Sequence, residues 1–109
     1  MTAIEMCTTT RLKALTFVSS TGIFATSAYK ARAAAHIPVL EADDLEDART
    51  GLTIGYLQSK WVAEKLVMRM ADHGMPCNIV RPCHIGGEST YGAVSSDDYF
   101  WRWAVILFP

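Results

Sequence analysis

The residues in this sequence best suited to chemistry are a phenol and an amine four positions apart, Tyr56 and Lys60, in the stretch GYLQSKWVAEKL that runs from Gly55 to Leu66. Side chains four apart on a helix share a face, so both groups can act on one object. A phenol is a poor acid or base at neutral pH. An ammonium beside it favours the phenolate and brings proton exchange with a substrate oxygen within reach. A hydroxyl from Ser20 or Thr21, placed across a cleft, would hydrogen-bond the same oxygen. Together such groups polarise a carbonyl so that hydride can arrive at its carbon. The spacing alone is weak evidence, because it also describes an ordinary amphipathic helix whose tyrosine caps the core and whose lysine is solvated. Hydroxyl residues also commonly close strands.

The elements that must position these groups follow from the pattern of apolar residues. Ile4, Met6 and Leu12 are loosely helical in spacing and suggest the end of a helix. Ala14-Leu15-Thr16-Phe17-Val18, closed by Ser19-Ser20-Thr21-Gly22, reads as a strand buried on both faces. From Ile23 to Thr53 the pattern weakens, with Pro38, the acidic Glu41-Ala42-Asp43-Asp44 and Gly51, and predicts a long irregular connection. A helix follows, with Val62, Ala63, Leu66, Val67 and Met70 as its buried stripe and Gly74 as a left-handed cap before Pro76. Cys77-Asn78-Ile79-Val80 is a second strand, broken by Pro82, and the apolar tail WAVILFP reads as part of a buried element.

Strand, connection with helix, strand is a βαβ unit with two parallel strands and a right-handed crossover. Ligands of open parallel sheets sit at the carboxyl ends of the strands. The exits Ser19–Thr21 and Arg81–His84 and the amino end of the Tyr56 helix therefore point to one rim. The expected fold class is α/β: a partial Rossmann-like parallel sheet with a flanking helix, part of a doubly wound fold.

With 109 residues there is room for one domain, and 50% hydrophobic with 19% charged residues is a globular composition. A net charge of −1 gives no basis for capture of nucleic acid or an anionic membrane. Cys7, Cys77 and Cys83 fit neither a disulfide framework nor a zinc site, which predicts reduced thiols in a cytoplasmic protein. Arg11 and Lys13 ahead of ALTFV have the outline of a secretory signal, but Ser19-Ser20-Thr21 interrupts the apolar part. The tail is too short to span a bilayer.

FVSSTGIF, followed by EADDLEDARTGLTIGYLQSKWVAEKLVMRMADHGMPCNIVRPCHIGGESTYGAVSSDD, resembles the extended short-chain dehydrogenase/reductases. More narrowly, it is similar to the thioester reductase domains of alpha-aminoadipate reductases, carboxylic acid reductases and peptide-synthetase-like reductases. The resemblance implies NADPH-dependent reduction of an acyl thioester on a carrier protein to an aldehyde or alcohol. It makes Tyr56 the acid, gives Lys60 the nicotinamide ribose, and puts the family's Ser or Thr on Ser20, with Thr21 adjacent. It lays Pro82, Cys83 and His84 against the nicotinamide. Cys83 stands where glycine is expected, and Leu57 where the family often reads Gly-Tyr-Gly. Without a paired base, Cys83 reads as a packed thiol more readily than as a nucleophile. His84 reads as a pocket-lining residue, and His36 and His73 as solvated.

No glycine-rich turn of the kind that cradles a pyrophosphate occurs; Gly86-Gly87 follows the second strand. The expectation is a single incomplete NAD(P)-binding reductase domain over 1–109, lacking the amino-terminal glycine-rich half and the carboxyl-terminal substrate region. Such a unit is expected to bind NADPH weakly or not at all by itself, and a complementing chain or domain stands among its expected partners. Two other readings share the pattern: an inactive fragment or interaction module of the same fold, and a sugar-nucleotide epimerase or dehydratase using the same Tyr and Lys.

Overall fold

The computed structural model describes residues 2–95 and 97–107. Its elements in chain order are α1 (Ala3–Thr8), β1 (Leu15–Val18), a 3-10 turn (Thr21–Phe24), α2 (Ser27–Ala34), a second 3-10 turn (Glu46–Ala48), α3 (Gly55–Asp72), β2 (Cys77–Val80) and α4 (Tyr99–Leu107). β1 and β2 pair in parallel, with Leu15 opposite Cys77 and Val18 opposite Val80. The fold class is α/β, a Rossmann-like parallel pair joined by a crossover that includes α3.

The long connection is more ordered than its sequence suggests. It contains α2, whose Ala-rich SAYKARAA segment has high helix propensity but buries only Tyr29. Thr26 caps its amino end, with its hydroxyl accepting from the Tyr29 N–H at 3.5 Å. After α2 the chain folds back around Asp43. That carboxylate accepts from the Tyr29 hydroxyl, from Arg32 Nη1 at 2.7 Å and from the Leu45 N–H at 2.9 Å. Burial opposes its charge most strongly, but these three donors and the Arg32 charge outweigh that and hold Asp43 below the usual carboxylate range. Burial and the Asp43 hydrogen bond push the Tyr29 phenol well up.

Leu45 is held at φ 62°, a left-handed conformation that costs a bulky residue energy. Its side chain is fully buried with Ile23, Tyr29, Ala48 and Leu52, and its carbonyl accepts from Trp61 Nε1 at 2.8 Å. Burial and this hydrogen bond offset the strain. They also dock the connection onto α3, where Lys65 Nζ donates to the Asp44 carbonyl at 2.8 Å.

α3 ends as its sequence predicts. Gly74 adopts φ 86°, its N–H donates to Ala71 O (2.9 Å), and the Met75 N–H reaches Met70 O (3.1 Å), which is a Schellman cap. The buried stripe differs from the expected one. Glu64 and Val67 are buried, and Leu57, Trp61 and Met68 pack on the core, whereas Val62 and Leu66 are half exposed. Leu66 and Met70 instead line an open apolar groove with Ile4 and Leu12.

The strands are not buried on both faces. Leu15, Phe17, Cys77 and Ile79 are half-buried, while Thr16, Val18, Asn78 and Val80 are exposed. The α/β pattern explains this: among the described residues one helical layer packs on the pair, and a parallel sheet needs two. Of the tail expected to be buried, Trp103, Ile106 and Leu107 of α4 are more than half exposed, and Phe108 and Pro109 lie outside the described residues. No helix among the described residues is long and apolar enough to cross a membrane.

Candidate active site

The backbone brings the two strand exits and the first turns of α3 to one lip. Ser19 N–H donates to Val80 O at 2.7 Å and Thr21 N–H to Pro82 O at 3.2 Å, so the parallel ladder continues past both strands. Where the chains then part, a cleft of about 540 Å³ opens. Ser20, Thr21, Tyr56, Lys60, Pro82, Cys83 and His84 all line it.

Each side chain has a local reason for its place. Ser20 caps the first 3-10 turn, its Oγ accepting from the Gly22 N–H at 3.1 Å. Thr21 Oγ1 donates to Pro82 O at 3.5 Å, across the cleft floor. Tyr56 stands in the first turn of α3, 57% exposed, so its ring borders the open volume rather than capping the core. Lys60 Nζ donates to Val18 O at 2.9 Å and lies 5.2 Å from the Phe17 ring centre and 5.5 Å from that of Tyr56. An ammonium has three protons to donate, so two remain for other partners.

The two positions that depart from the family pattern have different outcomes. Leu57 packs on the first 3-10 turn, where a Cβ added to Gly22 would fall 2.7 Å from Leu57 Cδ2. The glycine there makes room for the leucine and seats α3 against the β1 exit. Cys83 is exposed on the cleft wall, not packed as a buried thiol. His84 is exposed beside it, its ring 5.9 Å from that of Phe100, which places it as a wall residue. His36 and His73 are exposed.

Three residues belong to this region that the spacing argument did not single out. Ser19 is 4% exposed, and its Oγ is buried without a hydrogen-bond partner among the described residues. Asp98, at the start of α4, contributes a carboxylate to the cleft lining. Glu64, one turn beyond Lys60, is fully buried and paired with Arg81 at the β2 exit, with Arg81 Nη2 2.7 Å from Glu64 Oε2. The signal for Glu64 was present: Tyr56, Lys60 and Glu64 recur every four residues, and a carboxylate within an apolar stripe demands a partner.

Residues 1–108 match the NAD-binding family described as Male sterility protein. The L-2-aminoadipate reductase of Saccharomyces cerevisiae is 40% identical over 91 residues, 79% of this chain and 6% of the yeast protein. That of Schizosaccharomyces pombe is 37% identical over 109 residues, 94% of this chain and 8% of its own length. A linear gramicidin synthase polypeptide of Brevibacillus parabrevis is 38% identical over 99 residues, 91% of this chain and 2% of that protein. This chain thus spans less than a tenth of each of these three relatives. No solved structure matches it. The match over nearly the whole chain, and the reductases among its relatives, carry the assignment: the chain belongs to the NAD-binding family described as Male sterility protein, and is a short-chain dehydrogenase/reductase of the thioester reductase type.

Proposed function

We propose that this chain carries the proton-delivering side of an NADPH-dependent reductase that converts a carrier-bound acyl thioester to an aldehyde or alcohol. The observation that supports this best is the meeting of a phenol, an ammonium and two hydroxyl residues in one cleft at the carboxyl ends of parallel strands, in a chain whose relatives are named as aminoadipate reductases.

The residues present fit one end of the dinucleotide. Lys60, whose one hydrogen bond among the described residues goes to Val18 O, would hold the nicotinamide ribose. Pro82, Cys83 and His84 would form the wall against the ring. When bound, the cofactor supplies the hydride for the carbonyl carbon. Tyr56 donates its proton to the carbonyl oxygen, and the Ser20 hydroxyl, with Thr21 beside it, hydrogen-bonds that oxygen as negative charge develops. The resulting hemithioacetal collapses with cleavage of the C–S bond. The thiol leaves with one proton and the aldehyde is released.

The pyrophosphate end has no such partners, because the sequence contains no glycine-rich turn. In the proposed function a complementing chain or domain supplies it, with the whole acting in the cytoplasm. The uncovered face of the β1–β2 pair favours a second reading, an interaction module that binds through this sheet.

The test joins this chain to the glycine-rich half of a relative and follows NADPH oxidation with an acyl-pantetheine thioester. Tyr56→Phe is expected to lower turnover by about 10²-fold or more, the usual range for loss of a positioned proton donor. Undiminished turnover would remove Tyr56 from the reaction, and no turnover in the joined protein before any substitution would leave the interaction module as the better account.

A further inference from the structure

α3 carries more than the tyrosine and lysine. Glu64 follows Lys60 by one turn and is fully buried. Arg81 closes on it as a fork: Nε donates to Oε1 at 3.2 Å and to Oε2 at 3.0 Å, and Nη2 to Oε2 at 2.7 Å. The guanidinium also lies over the Phe24 ring, 5.3 Å from its centre, so the first 3-10 turn holds it from the other side. A buried ion pair is often no more stabilising than apolar residues of similar volume, so net stability does not explain its presence. The fork does have a property that apolar packing lacks, since it fixes direction and distance together.

The neighbours of Arg81 show what that geometry controls. Pro82 follows it directly, and the Pro82 carbonyl receives both the Thr21 N–H (3.2 Å) and the Thr21 hydroxyl (3.5 Å). Cys83 and His84 continue the same wall. On the opposite side, Lys60 ties α3 to Val18 O at the β1 exit. α3 is therefore fastened to both strand exits, by Lys60 to one and by Glu64 to the other.

We propose that Glu64 and Arg81 are positioning residues, whose forked ion pair holds the Pro82–His84 wall in register with Tyr56 and Lys60. The proposal rests on the reductase reading for what the cleft does, and its test reads the wall directly. In the double variant Glu64→Leu/Arg81→Met the urea midpoint is expected to equal or exceed that of the natural chain. Exchange of the Thr21 amide, which is bonded to Pro82 O, is expected to accelerate about tenfold or more as the wall loosens. The Leu15 amide, bonded to Pro76 O at 2.9 Å at the far end of the strand pair, serves as the control and should keep its rate. Should the double variant fail to fold, Arg81→Lys retains the charge without the fork and is expected to give the same acceleration at Thr21. Unchanged Thr21 exchange in a folded variant would overturn the proposal and reduce the pair to packing. That outcome would leave the Tyr56→Phe result untouched, and a negative Tyr56→Phe result would leave the exchange result standing.

Discussion

Asp43 shows how a single carboxylate organises the approach to the site. Its side chain is 9% exposed and gathers Tyr29, Arg32 and the Leu45 N–H, and Leu45 in turn receives Trp61 of α3. Charge-assisted hydrogen bonds of this kind contribute about 1.5–3 kcal/mol, so Asp43→Asn is expected to destabilise the chain by that amount at neutral pH. The pH dependence has a definite sign. The folded-state carboxyl is depressed below its ordinary 3.8, so its contribution is complete above that value and is lost as pH falls through the lower folded value. Urea titrations of both chains should show a gap that is constant from pH 7 to about 5 and closes on further acidification. A gap that persisted below the folded value would mean that Asp43 acts by shape and not by charge.

At the scale of elements, the close approach of Gly51 to Thr26 joins the end of the long connection to the start of α2. A Cβ at position 51 would fall 2.7 Å from Thr26 Cβ and 2.9 Å from its Cγ2. Thr26 is 1% exposed and caps α2, so it cannot step aside. Gly51→Ala is therefore expected to cost about 1–3 kcal/mol, as overpacking usually does, measurable as a lowered urea midpoint. Gly22→Ala is expected to cost less, because the atom it meets is the end of the Leu57 side chain. This contact between distant segments is the kind of information sequence does not display. The two strands, the α3 boundaries and the Gly74 cap were legible because each rests on local signals: apolar runs, helical spacing and a glycine before proline. α2 was not, since its Ala-rich segment has propensity without an apolar stripe. The stripe of α3 was misplaced because Val62 and Leu66 are apolar yet half exposed, while Glu64 is charged yet buried. Only the partner Arg81, seventeen residues on, makes that burial tolerable. Ser20, Thr21, Tyr56, Pro82, Cys83 and His84 could be placed at the cleft in advance because βαβ topology sends both strand exits and the amino end of α3 to one lip, whereas Asp98 could not.

At the scale of the whole molecule, a well-formed lip is joined to a sheet that the described residues cover on one side. Val18 and Val80 are 56% and 49% exposed on the open face, where a second layer would normally lie. In the proposed function the cleft offers an ammonium, hydroxyls and a wall to the nicotinamide end of a dinucleotide, while the sequence contains no glycine-rich turn to cradle the phosphates. Much of the binding energy of a dinucleotide comes from its pyrophosphate on a helix amino terminus. Titration of this chain with NADPH, followed by cofactor fluorescence, is therefore expected to show weak binding, with no saturation below about 1 mM, a dissociation constant worth only some 4 kcal/mol. Joining the glycine-rich half of a relative should restore saturable binding in the micromolar range, and should also cover Val18 and Val80 if the added half brings the second helical layer. Tight binding by the 109-residue chain itself would show that its cleft holds the phosphates by contacts other than a glycine-rich turn, and the complementing partner would then not be needed.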